Sequence, residues 1–113
     1  MYEIIKTMEI SAAHRLTLDH ASKCTQLHGH NWRITVWLRS CSLNANGMIM
    51  DFTEIKQRVQ EPLDHQILNN VLPDNPTAEN LAAWVCKQLQ PYCYRVEVSE
   101  TEHNKAIYVR DAS

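Results

Sequence analysis

Three histidines and a cysteine, His14, His28, His30 and Cys24, are the residues whose types and spacing could do chemistry in this chain. In an extended strand the side chains alternate, so His28 and His30, one residue apart, project from the same face. The stretch 2–14 places Ile4, Met8, Ile10, Ala12 and His14 on one face and Glu3, Thr7, Glu9 and Ser11 on the other. The stretch after Leu27 repeats this in reverse: His28, His30, Trp32, Ile34, Val36 and Leu38 alternate with Gly29, Asn31, Arg33, Thr35, Trp37 and Arg39. One apolar face ends on a histidine and the next begins with two. Antiparallel pairing, if no β-bulge intervenes, brings all three to one mouth. Three neutral imidazoles suit Zn2+ at roughly 2.0–2.1 Å per bond and leave a fourth position for water or substrate, as catalytic zinc sites do. His20, in a polar connection, and His103, in a turn-like stretch, are expected in solvent.

The elements that position these residues follow from the rest of the pattern. The connection from Arg15 to Leu27 is longer than a hairpin needs and delivers Cys24 just before the His-x-His pair; long ordered loops of this kind are often functional. Ser42 to Gly47 is turn-like, and Met48 to Met50 is expected to be a short extended piece. Asp51 reads as a helix N-cap with Glu54 as its reciprocal partner, and Phe52, Ile55 and Val59 form the buried stripe of a helix whose continuation Pro62 makes difficult. Thr77 caps a second helix, with Leu81, Trp84, Val85 and Leu89 as its stripe, ending before Pro91. Tyr94, Val96, Val98 and Glu100 then share one face of a third strand against Cys93, Arg95, Glu97, Ser99 and Thr101. A carboxylate at the end of an apolar face has to be paired or hydrogen-bonded. Ala106 to Arg110 is the fourth strand. The expected architecture is α+β, in the order β-β-α-α-β-β: a four-stranded antiparallel sheet with two helices on one face. Its two unpaired edges favour assembly of subunits edge to edge.

The chain has 113 residues, enough for one domain over 1–113 and too few for two. Its formal net charge of −2 gives no reason to expect nucleic acid or a lipid surface as partner. No signal-peptide pattern opens it, and no run approaches the ~20 apolar residues of a membrane span, so a cytoplasmic protein is expected. Cys24, Cys41, Cys86 and Cys93 form no Cys-x-x-Cys pair, which argues against a zinc ribbon or a thioredoxin-like motif.

Ser-Ala-Ala-His at 11–14, Cys-x-x-x-His-Gly-His at 24–30, Gly47 with Asp51-Phe52, Leu63-Asp64-His65, Pro-Thr-Ala-Glu-Asn at 76–80 and Glu100-Thr101 resemble the 6-pyruvoyltetrahydropterin and 6-carboxytetrahydropterin synthase family nearly end to end. The resemblance implies a tunnelling fold whose sheets join into an oligomeric β-barrel, as trimers that often stack into a hexamer, with active sites at subunit contacts. It implies His14, His28 and His30 as zinc ligands, Cys24 as catalytic thiol assisted by Asp64 and His65, and Glu100 as the anchor of the pterin. Thr77 is a helix cap first and a substrate contact second. Lys23 and Glu102 read as solvated residues.

The implied chemistry suits these groups. Zinc can act as Lewis acid toward the side-chain oxygens of the substrate. A thiol is mostly protonated at neutral pH, and a nearby zinc and His65 would favour its thiolate; Asp64 can orient His65. The two oxygens of Glu100 can accept the adjacent N–H and amino group of a pterin. The implied substrate is 7,8-dihydroneopterin triphosphate. The three-residue gap between Cys24 and His28 favours the carboxy branch, which releases acetaldehyde and triphosphate and feeds 7-deazaguanine nucleosides such as queuosine. The pyruvoyl branch, by triphosphate elimination, is the alternative, and a non-catalytic zinc or pterin binder is a second. The short segment from Arg39 to Asn46 and His103-Asn104-Lys105 before the last strand depart from the family pattern in loops, where they bear on substrate preference.

Overall fold

A computed structural model describes residues 1–110 of the chain. Strands β1 (Tyr2–His14) and β2 (His28–Ser40) pair antiparallel without a break from Tyr2 opposite Ser40 to His14 opposite His28. Their inward residues Met8, Ile10, Ala12, Trp32, Ile34, Val36 and Leu38 are buried, while Glu9, Ser11, Asn31 and Arg33 face out. β4 (Cys93–Ser99) pairs with β2, and β5 (Lys105–Val109) with β4.

The sheet differs from the expected four antiparallel strands. A fifth strand, β3 (Gln66–Ile67), lies parallel to β1 against Ala12 and Ala13, so the sheet is mixed, in the order β3-β1-β2-β4-β5. Two residues carry no periodicity. They pair because the His65 N–H donates to the Ser11 carbonyl at 2.7 Å and the Ser11 N–H to Asp64 Oδ1 at 2.8 Å, which draws this segment onto the β1 edge. A bulge also breaks the simple alternation of β4. Leu38 pairs with Cys93 and Trp37 with Arg95, leaving Tyr94 as the extra residue. Cys93 therefore turns inward and is fully buried, with Tyr94 half-exposed.

The first helical segment is α1 (Phe52–Ile55), a π turn at Lys56–Gln60 and α2 (Glu61–Leu63). Asp51 caps it, its carboxylate accepting from the Thr53 N–H at 2.8 Å. The segment runs one residue past Pro62 and ends at Leu63. A proline has no N–H to give and crowds the carbonyl four residues back, and the wider π turn that precedes it accommodates both. Ile55, Val59 and Leu63 are buried, whereas Phe52 stays exposed with the Lys6 ammonium 5.8 Å from its ring centre. Met48–Met50 forms no strand, though Ile49 and Met50 enter the core. The second helix, α3 (Ala78–Gln88), buries Leu81, Ala82, Val85 and Cys86 in the same core. No helix of the described residues is long and apolar enough to cross a membrane.

Thr77 Oγ1 accepts from the Asn80 N–H at 3.1 Å and so caps α3. Thr77→Ala should lower the unfolding free energy by about 1 kcal/mol, measured by chemical denaturation, and Thr77→Ser should restore most of it.

Candidate metal centre

The regular β1–β2 ladder sets His14 opposite His28, with His30 one inward position along. The three rings meet edge to face, with centroids 4.6 to 5.3 Å apart. Trp32, the next inward residue, lies beneath them with its ring 4.9 Å from His14 and 5.3 Å from His30. Its Nε1 donates to the Ala12 carbonyl at 3.0 Å. Glu100, just past the end of β4, comes in from the other side: its Oε1 lies 2.8 Å from His30 Nε2 and 3.4 Å from His14 Nε2. The four donor atoms lie within 4.8 Å of one another, so His14, His28, His30 and Glu100 form a group that can hold a metal ion.

The protons of the rings strengthen this reading. His14 Nδ1 is 2.7 Å from the Pro76 carbonyl and His28 Nδ1 is 2.7 Å from the Gln26 carbonyl. A carbonyl has no proton to give, so each Nδ1 must be the donor, and the neutral ring is left with a bare lone pair on Nε2. Those two Nε2 atoms are only 3.0 Å apart. Two lone pairs at that distance repel unless a cation or a proton lies between them. His30 Nε2 is shut off from solvent and, despite its 2.8 Å approach to Glu100, has no hydrogen bond of acceptable direction. Burial pushes the His30 pKa below its ordinary value and the two neighbouring histidines add to the shift, against the opposing charge of Glu100. A donor set of three imidazoles and one carboxylate suits a divalent metal ion. The backbone carbonyls that orient the rings have the part that outer partners play for metal-bound histidines.

The other expected site residues lie outside this group. Cys24 is half-buried on a 3-10 turn (Lys23–Thr25), where Ser22 Oγ accepts its N–H at 3.2 Å. Asp64 is held to Ser11 by Oδ1 and turns Oδ2 toward His65 Nε2 at 3.6 Å. His65 has φ +60°, a left-handed conformation unusual for a residue with a side chain. Its ring is 81% exposed and lines an open groove with Ser11, Ala13, Gly29 and Asn31, a groove that His30 also borders. Thr77 serves as the helix cap. The carbonyls of Pro76 and Gln26 were not legible from residue types, since every residue carries one; Trp32 was, by its shared parity with His30.

A profile of the 6-pyruvoyl tetrahydropterin synthase family matches residues 3–111. The chain belongs to this family. Among its curated relatives, a 6-carboxy-5,6,7,8-tetrahydropterin synthase of Synechocystis is 38% identical, with 96% of this chain and 93% of the relative aligned. A 6-pyruvoyl tetrahydrobiopterin synthase of Dictyostelium discoideum is 34% identical over 87% of this chain and 88% of its own length. Among solved structures, the 6-pyruvoyl tetrahydropterin synthase of Caenorhabditis elegans superposes with a TM-score of 0.76 at 25% identity, covering 97% of this chain and 96% of that one. An uncharacterised protein of Wolinella succinogenes, at 21% identity and a TM-score of 0.74 over 97% of this chain and 98% of its own, shares the fold. As a member of the family, the chain is a pterin-synthase-type protein with an α+β fold and a candidate metal centre.

His28→Ala should lose stoichiometric zinc, read by metal analysis after gel filtration, while far-UV circular dichroism stays that of the parent. Retained zinc would remove His28 from the ligand set.

Proposed function

We propose that this chain is a zinc-dependent lyase that takes 7,8-dihydroneopterin triphosphate and water to 6-carboxy-5,6,7,8-tetrahydropterin, acetaldehyde and triphosphate, a step toward 7-deazaguanine nucleosides such as queuosine. The observation that carries this reading is the convergence of His14, His28, His30 and Glu100, whose donor atoms lie within 4.8 Å of one another, with the Nδ1 of His14 and of His28 each held by a backbone carbonyl. His14, His28 and His30 hold the zinc, which when bound supplies Lewis acidity toward the oxygens of the substrate side chain.

The remaining groups work on the substrate. Cys24 is the base that takes the side-chain proton, and the Asp64–His65 pair shares in moving it. Glu100 accepts the N–H and amino group of the pterin as a charge-assisted pair. Support for this comes from the groove that Glu100 borders together with Glu79, Asn104 and Lys105, about 290 Å³ between α3 and β5. The carboxy branch is favoured by the three residues between Cys24 and His28 and by the carboxy-type relative at 38% identity. The pyruvoyl branch is the second reading, favoured by the 34% identical pyruvoyl-type relative.

The working form is a single tunnelling-fold domain that assembles with copies of itself, as a hexamer of two trimers. Its support is the pair of open sheet edges, where Ile67 on β3 and Ile107 and Val109 on β5 leave 38%, 51% and 57% of their surface exposed.

Incubation of the zinc-loaded protein with 7,8-dihydroneopterin triphosphate should yield 6-carboxytetrahydropterin by mass spectrometry, with acetaldehyde trapped in step. A pyruvoyl product would move the protein to the other branch, and unchanged substrate would leave it a binder. Glu100→Ala should keep its zinc but weaken pterin binding at least about tenfold; release of zinc instead would make Glu100 a ligand rather than the anchor.

A further inference from the structure

Beyond His14 the chain leaves the regular sheet, yet its backbone groups stay paired as those of an extended strand would be. Asn69 binds both backbone groups of Arg15: its Oδ1 accepts the Arg15 N–H at 2.9 Å and its Nδ2 donates to the Arg15 carbonyl at 2.8 Å. Asn75 does the same for Thr17, at 2.9 and 3.0 Å. A carboxamide carries a donor and an acceptor side by side, as a peptide unit does. The two side chains therefore stand in for a neighbouring strand. Extended backbone alternates the sides to which successive residues bond, so Leu16, between the two clamped residues, points its N–H the other way. That N–H donates to the carbonyl of Cys24 at 2.9 Å.

Both clamps are themselves anchored. Asn69 sits in a 3-10 turn, Leu68–Asn70, whose Leu68 is fully buried. The carbonyl of Asn75 accepts from Asn80 Nδ2 and from the Thr77 N–H, each at 2.8 Å, which ties it to the start of α3. The path thus runs from the packed α3 and the 3-10 turn, through two side-chain amides, to the segment Arg15–Thr17 and on to Cys24. Without the amides, four backbone groups of Arg15 and Thr17 would turn to water and the register of Leu16 against Cys24 would be free to slip.

We propose that Asn69 and Asn75 are positioning residues that hold Cys24 in place through Leu16, and so set the rate of the thiol's proton transfer rather than metal binding or fold. The proposal rests on the assignment of Cys24 as the reacting thiol. A shift of the reacting atom by about 1 Å costs on the order of a hundredfold in rate, so the clamps need only hold the turn at Lys23–Thr25 to that tolerance.

The test uses the zinc-loaded full chain with Cys41, the exposed cysteine, replaced by serine; Cys86 and Cys93 are buried. Asn69→Ala and Asn75→Ala should each keep their zinc and lower kcat on 7,8-dihydroneopterin triphosphate by about 10- to 100-fold with KM little changed. Iodoacetamide should alkylate Cys24 about tenfold faster in both, as the turn opens more often. Asn75→Asp, which retains the acceptor for the Thr17 N–H, should fall between parent and alanine variant, and carries the same test should Asn75→Ala not fold. Unchanged kcat and unchanged alkylation in folded, zinc-loaded variants would overturn the proposal. So would zinc lost together with activity in Asn75→Ala, which would place the effect on His14 through the adjacent Pro76 carbonyl. Parent-like turnover by Cys24→Ala would overturn the Cys24 assignment itself; a slow Cys24→Ala beside unaffected asparagine variants would overturn the clamp alone.

Discussion

The site depends on the unbroken antiparallel register of β1 and β2. Side chains alternate along each strand, so a slip of one residue would turn His28 and His30 to the opposite face and strand His14 alone in the core. The register is held by burial as well as by backbone bonds: Met8, Ile10, Trp32, Ile34 and Val36 stand on the same face as the histidines and are closed off from water. The hydrophobic core and the metal group are thus two ends of one face. The bulge at Trp37 and Leu38 falls far along β2 from the histidines, where it re-aims Cys93 and Tyr94 without disturbing them.

Desolvation gives that end of the face its chemistry. His14 is the one buried polar residue among the described residues, at 1% exposure, and a buried polar ring is costly without partners. The Pro76 carbonyl satisfies its Nδ1, the Trp32 ring packs against it, and its Nε2 is left facing that of His28. For His14 and His28 the fold fixes which ring nitrogen is free by placing a carbonyl beside the other. That ordering costs nothing further when a cation is taken up, which is the sense in which the site is preorganised.

The open face and the edges of the sheet have a different character. Asp64, His65 and β3 attach to the rim of β1 through Ser11, and His65 accepts a left-handed backbone there. The ring stays in solvent, beside a groove that His30 also lines. The long connection to Cys24 is tied down by asparagine side chains more than fifty residues distant in sequence. Such ties allow the loop to be ordered without a hydrophobic core of its own.

The alternation of residue types was enough by itself to establish strands β1 and β2, the shared face of His14, His28 and His30, the inward placement of Glu100 and the caps Asp51 and Thr77. Each of these follows from local periodicity or from a side chain bonding within a few residues, which is information carried in a short window. Tertiary structure alone decided the rest. The two-residue β3 exists because Ser11 captures Asp64 and His65; the helix runs one residue past Pro62 because a π turn absorbs it; Cys93 faces inward because β4 bulges against β2; Phe52 stays out under Lys6. The ring tautomers and the clamps on Arg15 and Thr17 depend on contacts between residues 14 and 76, 15 and 69, 17 and 75. No residue type announces a backbone carbonyl as a partner, and an asparagine read in isolation signals only a turn, so contacts of this range become visible only when the chain has folded.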